Sequence, residues 1–138
     1  MAVHVIGVVG GTVGLAVTVG YLAAARGGGE GTGVRRFFAG GPGQAPRLLY
    51  PAAAFGLVAA LSSSQRVRLQ WAWVWGAGIL WLLAAVCIEA GLRPAERRVG
   101  GLLAAGQGAG PAAGAGLAAG AAALALVLAA SALMVAQP

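Results

Sequence analysis

From Trp71 to Gly91 the chain reads WAWVWGAGILWLLAAVCIEAG, with no charge before Glu89. As a helix rising ~1.5 Å per residue this stretch is about 30 Å long, the thickness of a bilayer's hydrocarbon core. Trp71, Trp73 and Trp75 crowd its first turns. Tryptophan favours the membrane–water boundary, where the ring sits in lipid and the N–H stays wet. Arg66 and Arg68 lie just before it, within reach of headgroup phosphates, and Arg93 and Pro94 are expected to stop it. The segment is therefore expected to be a transmembrane helix, and the rest of the chain to be organised around it.

The other apolar runs support this. Hydrophobic residues make up 59% of the chain and charged residues 9%, against about 25% charged in soluble domains. So little charge cannot clothe a water-soluble surface. The 138 residues suffice for one transmembrane domain, with spans at about 3–25, 46–64, 71–92 and 111–135 and connections at 26–45, 65–70 and 93–110. The expected fold is all-α: an integral membrane four-helix bundle with antiparallel up-down spans and short connections. The tight turn at 65–70 makes the second and third spans antiparallel neighbours in that scheme.

Small residues four apart let helix backbones approach closely. Gly7 with Gly11 and Gly10 with Gly14 mark such faces on the first span, and Gly110 with Gly114 and Gly116 with Gly120 on the last. On the third span, positions 71, 75, 78, 82, 85 and 89 share one stripe, in which Gly78 opens a notch for a neighbouring helix. The glycine-rich connection 26–45 is expected to be irregular. Within it, Arg35, Arg36, Phe37 and Phe38 read as an interfacial anchor, with guanidinium groups on phosphates and phenyl rings at the acyl boundary. The last connection is expected to be solvated, Glu96, Arg97 and Arg98 included.

Glu89 is the one acid within an apolar run, and an intramembrane carboxylate is a candidate for proton or cation handling. Arg93 follows four residues later, the favourable order for a helical ion pair. His4 and Cys87 are the only histidine and cysteine. Alone they cannot build a usual zinc, copper or bis-histidine haem site, so no cofactor and no metal site is expected. No nucleophile–base pair is recognisable, so no catalytic residue is assigned.

The basic balance of nine arginines against three glutamates does not point to nucleic acid, because the arginines flank apolar spans, where they set topology and touch anionic lipid. The first and third connections hold Arg26, Arg35, Arg36, Arg47, Arg93, Arg97 and Arg98, and the second only Arg66 and Arg68. The positive-inside rule then puts the former in the cytoplasm and both termini outside. A bacterial cytoplasmic (inner) membrane is the expected location.

His4 at the start of the first span, RLLYPAAAFGLVAAL after a basic connection, a Trp-led third span ending in GLRPAERR and a last span ending in LMVAQP together define a layout. It resembles small bacterial four-helix membrane proteins of unknown function, loosely like the membrane part of CopD-type copper-resistance proteins. The resemblance implies the four-helix fold. It also implies copper or haem handling through histidine and methionine, for which this chain carries His4, Met1 and Met134.

Three functions are carried forward. The leading one is a non-catalytic accessory or structural subunit of a larger membrane complex, respiratory or otherwise energy-converting, packing through glycine-rich helix faces against other integral membrane subunits. The second is a small homo-oligomeric transporter or channel using Glu89. The third is a haem- or metal-associated membrane protein using His4.

Overall fold

A computed structural model describes residues 2–28, 31–62 and 72–136. The described residues are helical apart from short turns and loops, with no strand among them. In chain order, α1 is Ala2–Arg26, α2 is Thr32–Ala39, α3 is Leu49–Ser62, α4 is Ala72–Val86, α5 is Arg93–Ala104 and α6 is Gly110–Val135. A 3-10 turn at Ala45–Leu48 leads into α3, and a π-helical turn at Cys87–Leu92 joins α4 to α5. Among the described residues three helices are long and apolar enough to cross a membrane: His4–Arg26, Trp73–Ala104 and Gly110–Val135.

The helices pack in the order α3, α1, α6, α4. Glycine decides this arrangement. On α1, a Cβ at Gly7 would fall 2.8 Å from the Ala52 Cβ, one at Gly11 would fall 2.6 Å from Leu49 Cγ, and one at Gly14 would collide with Ala45. The entry to α3 therefore lies directly on the α1 backbone. On α6, a Cβ at Gly116 would fall 2.8 Å from that of Ala95 and one at Gly120 2.8 Å from Val19 Cγ2. Gly91, a position with no assigned role in the sequence reading, receives Ala119 in the same way, at 2.6 Å. These pairings run in opposite senses along the chain, so each packed pair is antiparallel. The close approaches replace the hydrophobic driving force that helices lack in lipid with dense van der Waals contact.

Several expectations are corrected. The second and third spans are not extensively packed neighbours: α3 lies on α1 and α4 on α6. The glycine faces of α1 and α6 draw α3 and α4 to different neighbours. The described α-helical part of the second span, α3, has 14 residues, or ~21 Å. Ser63, Ser64, Arg66, Arg68 and Trp71 lie outside the described residues.

Arg93 and Pro94 do not stop the third span. The π turn places the Arg93 N–H on the carbonyl of Ile88, five residues back. This extra residue shifts the hydrogen-bond ladder just before the proline, whose ring would otherwise strike the preceding turn. The helix then runs on because Leu92, Ala95, Glu96, Val99 and Leu103 form a buried stripe at helical spacing. It ends at Gly106, whose φ of +69° suits glycine. Gly106 N–H bonds to the Leu103 carbonyl and Gln107 N–H to that of Leu102, a Schellman closure.

The connection 26–45 is likewise not wholly irregular, since α2 forms within it and packs along α5. The Phe38 ring is buried in the protein and Phe37 stacks on Tyr21 with ring centroids 4.0 Å apart. The phenyl rings thus pack on protein instead of standing at the acyl boundary, because Gly100 lets α2 come close: a Cβ there would lie 3.0 Å from the Phe38 carbonyl oxygen.

Large apolar side chains are exposed along the shaft of the molecule. They include Ile6, Val9 and Val13 on α1, Phe55 and Val58 on α3, and Trp75, Ile79, Leu82 and Val86 on α4. An aqueous protein does not present so much contiguous apolar surface. A membrane protein does.

Candidate functional site

The described charged residues gather at one end of the molecule, where α1 ends, α2 and α5 lie together and α6 begins. Here the π turn presents Glu89. The 3-10 turn brings Arg47 opposite it, and the two form a two-pronged ion pair: Arg47 Nε donates to Glu89 Oε1 at 3.0 Å and Nη2 to Oε2 at 3.2 Å. Tyr50, one turn further on, donates its hydroxyl to Oε1 at 3.1 Å. Arg93 Nε lies 3.3 Å from Oε2, completing the i,i+4 pair. Such bidentate guanidinium–carboxylate contacts are the strong, directional kind. Glu89 thus has both oxygens engaged, and the arrangement fixes the start of α3 against the end of α4.

A second layer lies deeper. Arg93 Nη1 donates to the carbonyl of Gly43 at 3.3 Å, and the N–H of Gly43 donates to Glu96 Oε1 at 3.2 Å. Gly43, in the loop before α3, is therefore held by α5 through both its N–H and its carbonyl. Arg93 is 6% exposed and Glu96 2%, so Glu96 is buried where a solvated side chain was expected. It faces inward because the uninterrupted helix carries it round with Leu92 and Val99. The second oxygen of Glu96 has no hydrogen-bond partner among the described residues. Thr18, also buried, donates to the Gly14 carbonyl at 3.0 Å. Its hydroxyl and Glu96 Oε1 flank Gly43, 3.7 and 3.6 Å from where a Cβ would stand.

His4 lies at the opposite end of α1. Its Nδ1 is 2.6 Å from the carbonyl oxygen of Ala52. A carbonyl only accepts, so Nδ1 carries the proton and donates. Gly56 makes room for the ring: a Cβ there would fall 2.7 Å from Cε1 of His4. Among the described residues no three His, Cys, Asp or Glu side chains cluster as metal ligands.

Of the expected interface residues, Trp75 is 63% exposed, Trp73 is partly buried, and Arg35 and Arg36 are exposed. Trp71 lies outside the described residues. Of the nine packing glycines, Gly7, Gly10, Gly11, Gly14, Gly110, Gly114, Gly116 and Gly120 each have an atom of this chain within 4 Å of a Cβ position, and Gly78 has none. Gly78 therefore receives no neighbouring helix among the described residues. It lies on the outer face of α4, turned away from α6.

Sequence reasoning missed Arg47, Tyr50, Gly43 and Glu96 as members of one cluster. The seven-residue spacing of Glu89 and Glu96, which returns a helix to the same face, was the available signal. The partners of Glu89 on the 3-10 turn and α3 are 42 and 39 residues away in the chain, and no local pattern announces them. Comparison with family models, curated proteins and solved structures finds no match to this chain.

Proposed function

We propose that this chain is a non-catalytic integral membrane subunit that joins a larger membrane complex through the outer face of α4. The observation that carries the reading is the contrast among the glycines. The packing faces of α1 and α6 are filled from within the chain, so they leave no vacancy for a partner. Gly78 is open, between the exposed Trp75, Ile79 and Leu82. A helix laid against this notch would meet a close-approach site of the same kind that the chain uses internally.

In this reading the chain crosses the membrane four times. Residues 45–62, the 3-10 turn with α3, are ~29 Å long when rises of ~2.0 and ~1.5 Å per residue are combined, which suits the second crossing. The arginine-rich end faces the cytoplasm by the positive-inside rule, and both termini face outward across a bacterial inner membrane. Glu89 acts as a structural tie, which favours the subunit reading over a transport path: a carboxylate held by two arginines and a tyrosine is not free to exchange a cation. His4 serves to pin α1 to α3 through the Ala52 carbonyl.

Native mass spectrometry of the protein gently extracted from its own membranes tests this. The expected result is a stoichiometric complex with other membrane chains, lost on Gly78→Leu while the unfolding midpoint of the isolated protein stays unchanged. A wild-type protein that emerges alone, or only as copies of itself, overturns the reading.

A further inference from the structure

Beyond the α4 face, and independently of it, we propose that the end of the molecule formed by α2 and α5 is a binding surface for anionic phospholipid headgroups, with Arg36, Arg97 and Arg98 holding the phosphate. The two helices run antiparallel: Arg35 Nη1 donates to the Leu103 carbonyl at 3.4 Å, Phe38 crosses Gly100, and Gly43 bonds to Glu96. This packing turns Val34, Phe38, Glu96, Val99 and Leu103 inward. Arg36, on α2, and Arg97 and Arg98, on α5, are each exposed.

The two acids among the described residues are engaged elsewhere, and Glu30 lies outside those residues. Glu89 is tied to Arg47 and Arg93, and Glu96 is buried beneath the surface. No carboxylate among the described residues pairs with these three guanidinium groups. They are carried on rigid helices, so holding a ligand costs them little further order. Guanidinium groups match phosphate oxygens two at a time. The anion is a lipid headgroup because α5 continues directly from the apolar shaft of α4. Arg97 and Arg98 therefore stand about two turns past Glu89, with Arg36 on the helix packed beside them, and each basic residue near the bilayer surface draws anionic lipid.

The test uses the intact protein in phosphatidylcholine nanodiscs containing a minor share of phosphatidylglycerol, with retained lipids identified by native mass spectrometry. Phosphatidylglycerol is expected to be enriched over its share in the bilayer. Each Arg→Gln change at positions 36, 97 and 98 is expected to lower headgroup affinity about fivefold. R36Q/R97Q/R98Q should reduce the enrichment to the bulk share, while R66Q/R68Q should preserve it. If the triple variant does not fold, salt supplies the test on the wild type: enrichment that fades with rising ionic strength supports the site, and salt-independent enrichment overturns it. Absence of enrichment in the wild type also overturns it. So does a folded triple variant that keeps its phosphatidylglycerol, or one that loses a bound protein or nucleic acid with lipid retention unchanged.

Discussion

The long helix Trp73–Ala104 has two halves that obey opposite rules. Its first half exposes large apolar side chains, Leu82 at 67%, and carries no charge. Its second half buries Arg93 and Glu96 and exposes Arg97 and Arg98. An aqueous globule would bury the former and solvate the latter. The inversion indicates two surroundings along one helix, with the change near Glu89. At 32 residues the helix is ~48 Å long, so about a third of it stands clear of a ~30 Å core. The packing differs in the same way. The shaft is held by glycine notches, where shape is the whole interaction. The charged end is held by directed hydrogen bonds, onto Gly43 of one loop and between Glu89, Arg47 and Tyr50.

Breaking the shaft should have the largest effect. Gly116→Leu forces a side chain into Ala95 and Leu22, and overpacking of this kind costs about 3 kcal/mol or more. Loss of the folded protein in detergent, followed by thermal unfolding, is the expected outcome. Gly78→Leu is the matched control and should not lower stability. Equal losses at both positions would remove the contrast between filled and open notches.

Next in size is Glu96→Ala. It strips the acceptor from the Gly43 N–H and removes a buried charge beside Arg93, at a cost of about 3 kcal/mol. The change should also loosen the Gly43 loop, seen as faster hydrogen exchange through residues 41–46. Glu96→Gln retains one acceptor and should lose about half as much.

Leu82→Arg sharpens the comparison from the lipid side. An arginine at the centre of a span raises the apparent insertion cost by about 3 kcal/mol, whereas Arg97→Leu at the other end should insert as well as wild type. A glycosylation-mapping assay for membrane insertion reads both.

The smallest effect is expected for Glu89→Gln. Its contact with Arg47 is two-pronged but half exposed, so solvent screening leaves it a modest share of stability. A small downward shift in the unfolding midpoint that shrinks further in high salt is the expected signature.

These outcomes bear on what could be read from residues alone. The apolar spans were legible because lipid demands long uncharged runs, and the glycine pairs because helical spacing puts them on one face. Which helix fills each notch was not legible, since a GxxxG pair specifies closeness and no partner. The continuation of α4 into α5 was hidden by Pro94, which reads as a terminator unless the π turn before it is known. Glu96 was hidden by its neighbours: Arg97 and Arg98 make the stretch look solvated, and only the stripe of Leu92, Ala95, Val99 and Leu103 betrays its inner face. The Glu89 cluster depends on a contact across 42 residues, beyond the reach of any local pattern.

The most direct test of a change of surroundings at Glu89 is spin-label accessibility in reconstituted bilayers. With Cys87 replaced by serine, single nitroxides are placed at Leu82 and at Arg97. The expected result is strong relaxation by oxygen and little by a water-soluble nickel complex at position 82, and the reverse at position 97. Equal exposure of both labels to the nickel complex would contradict the account.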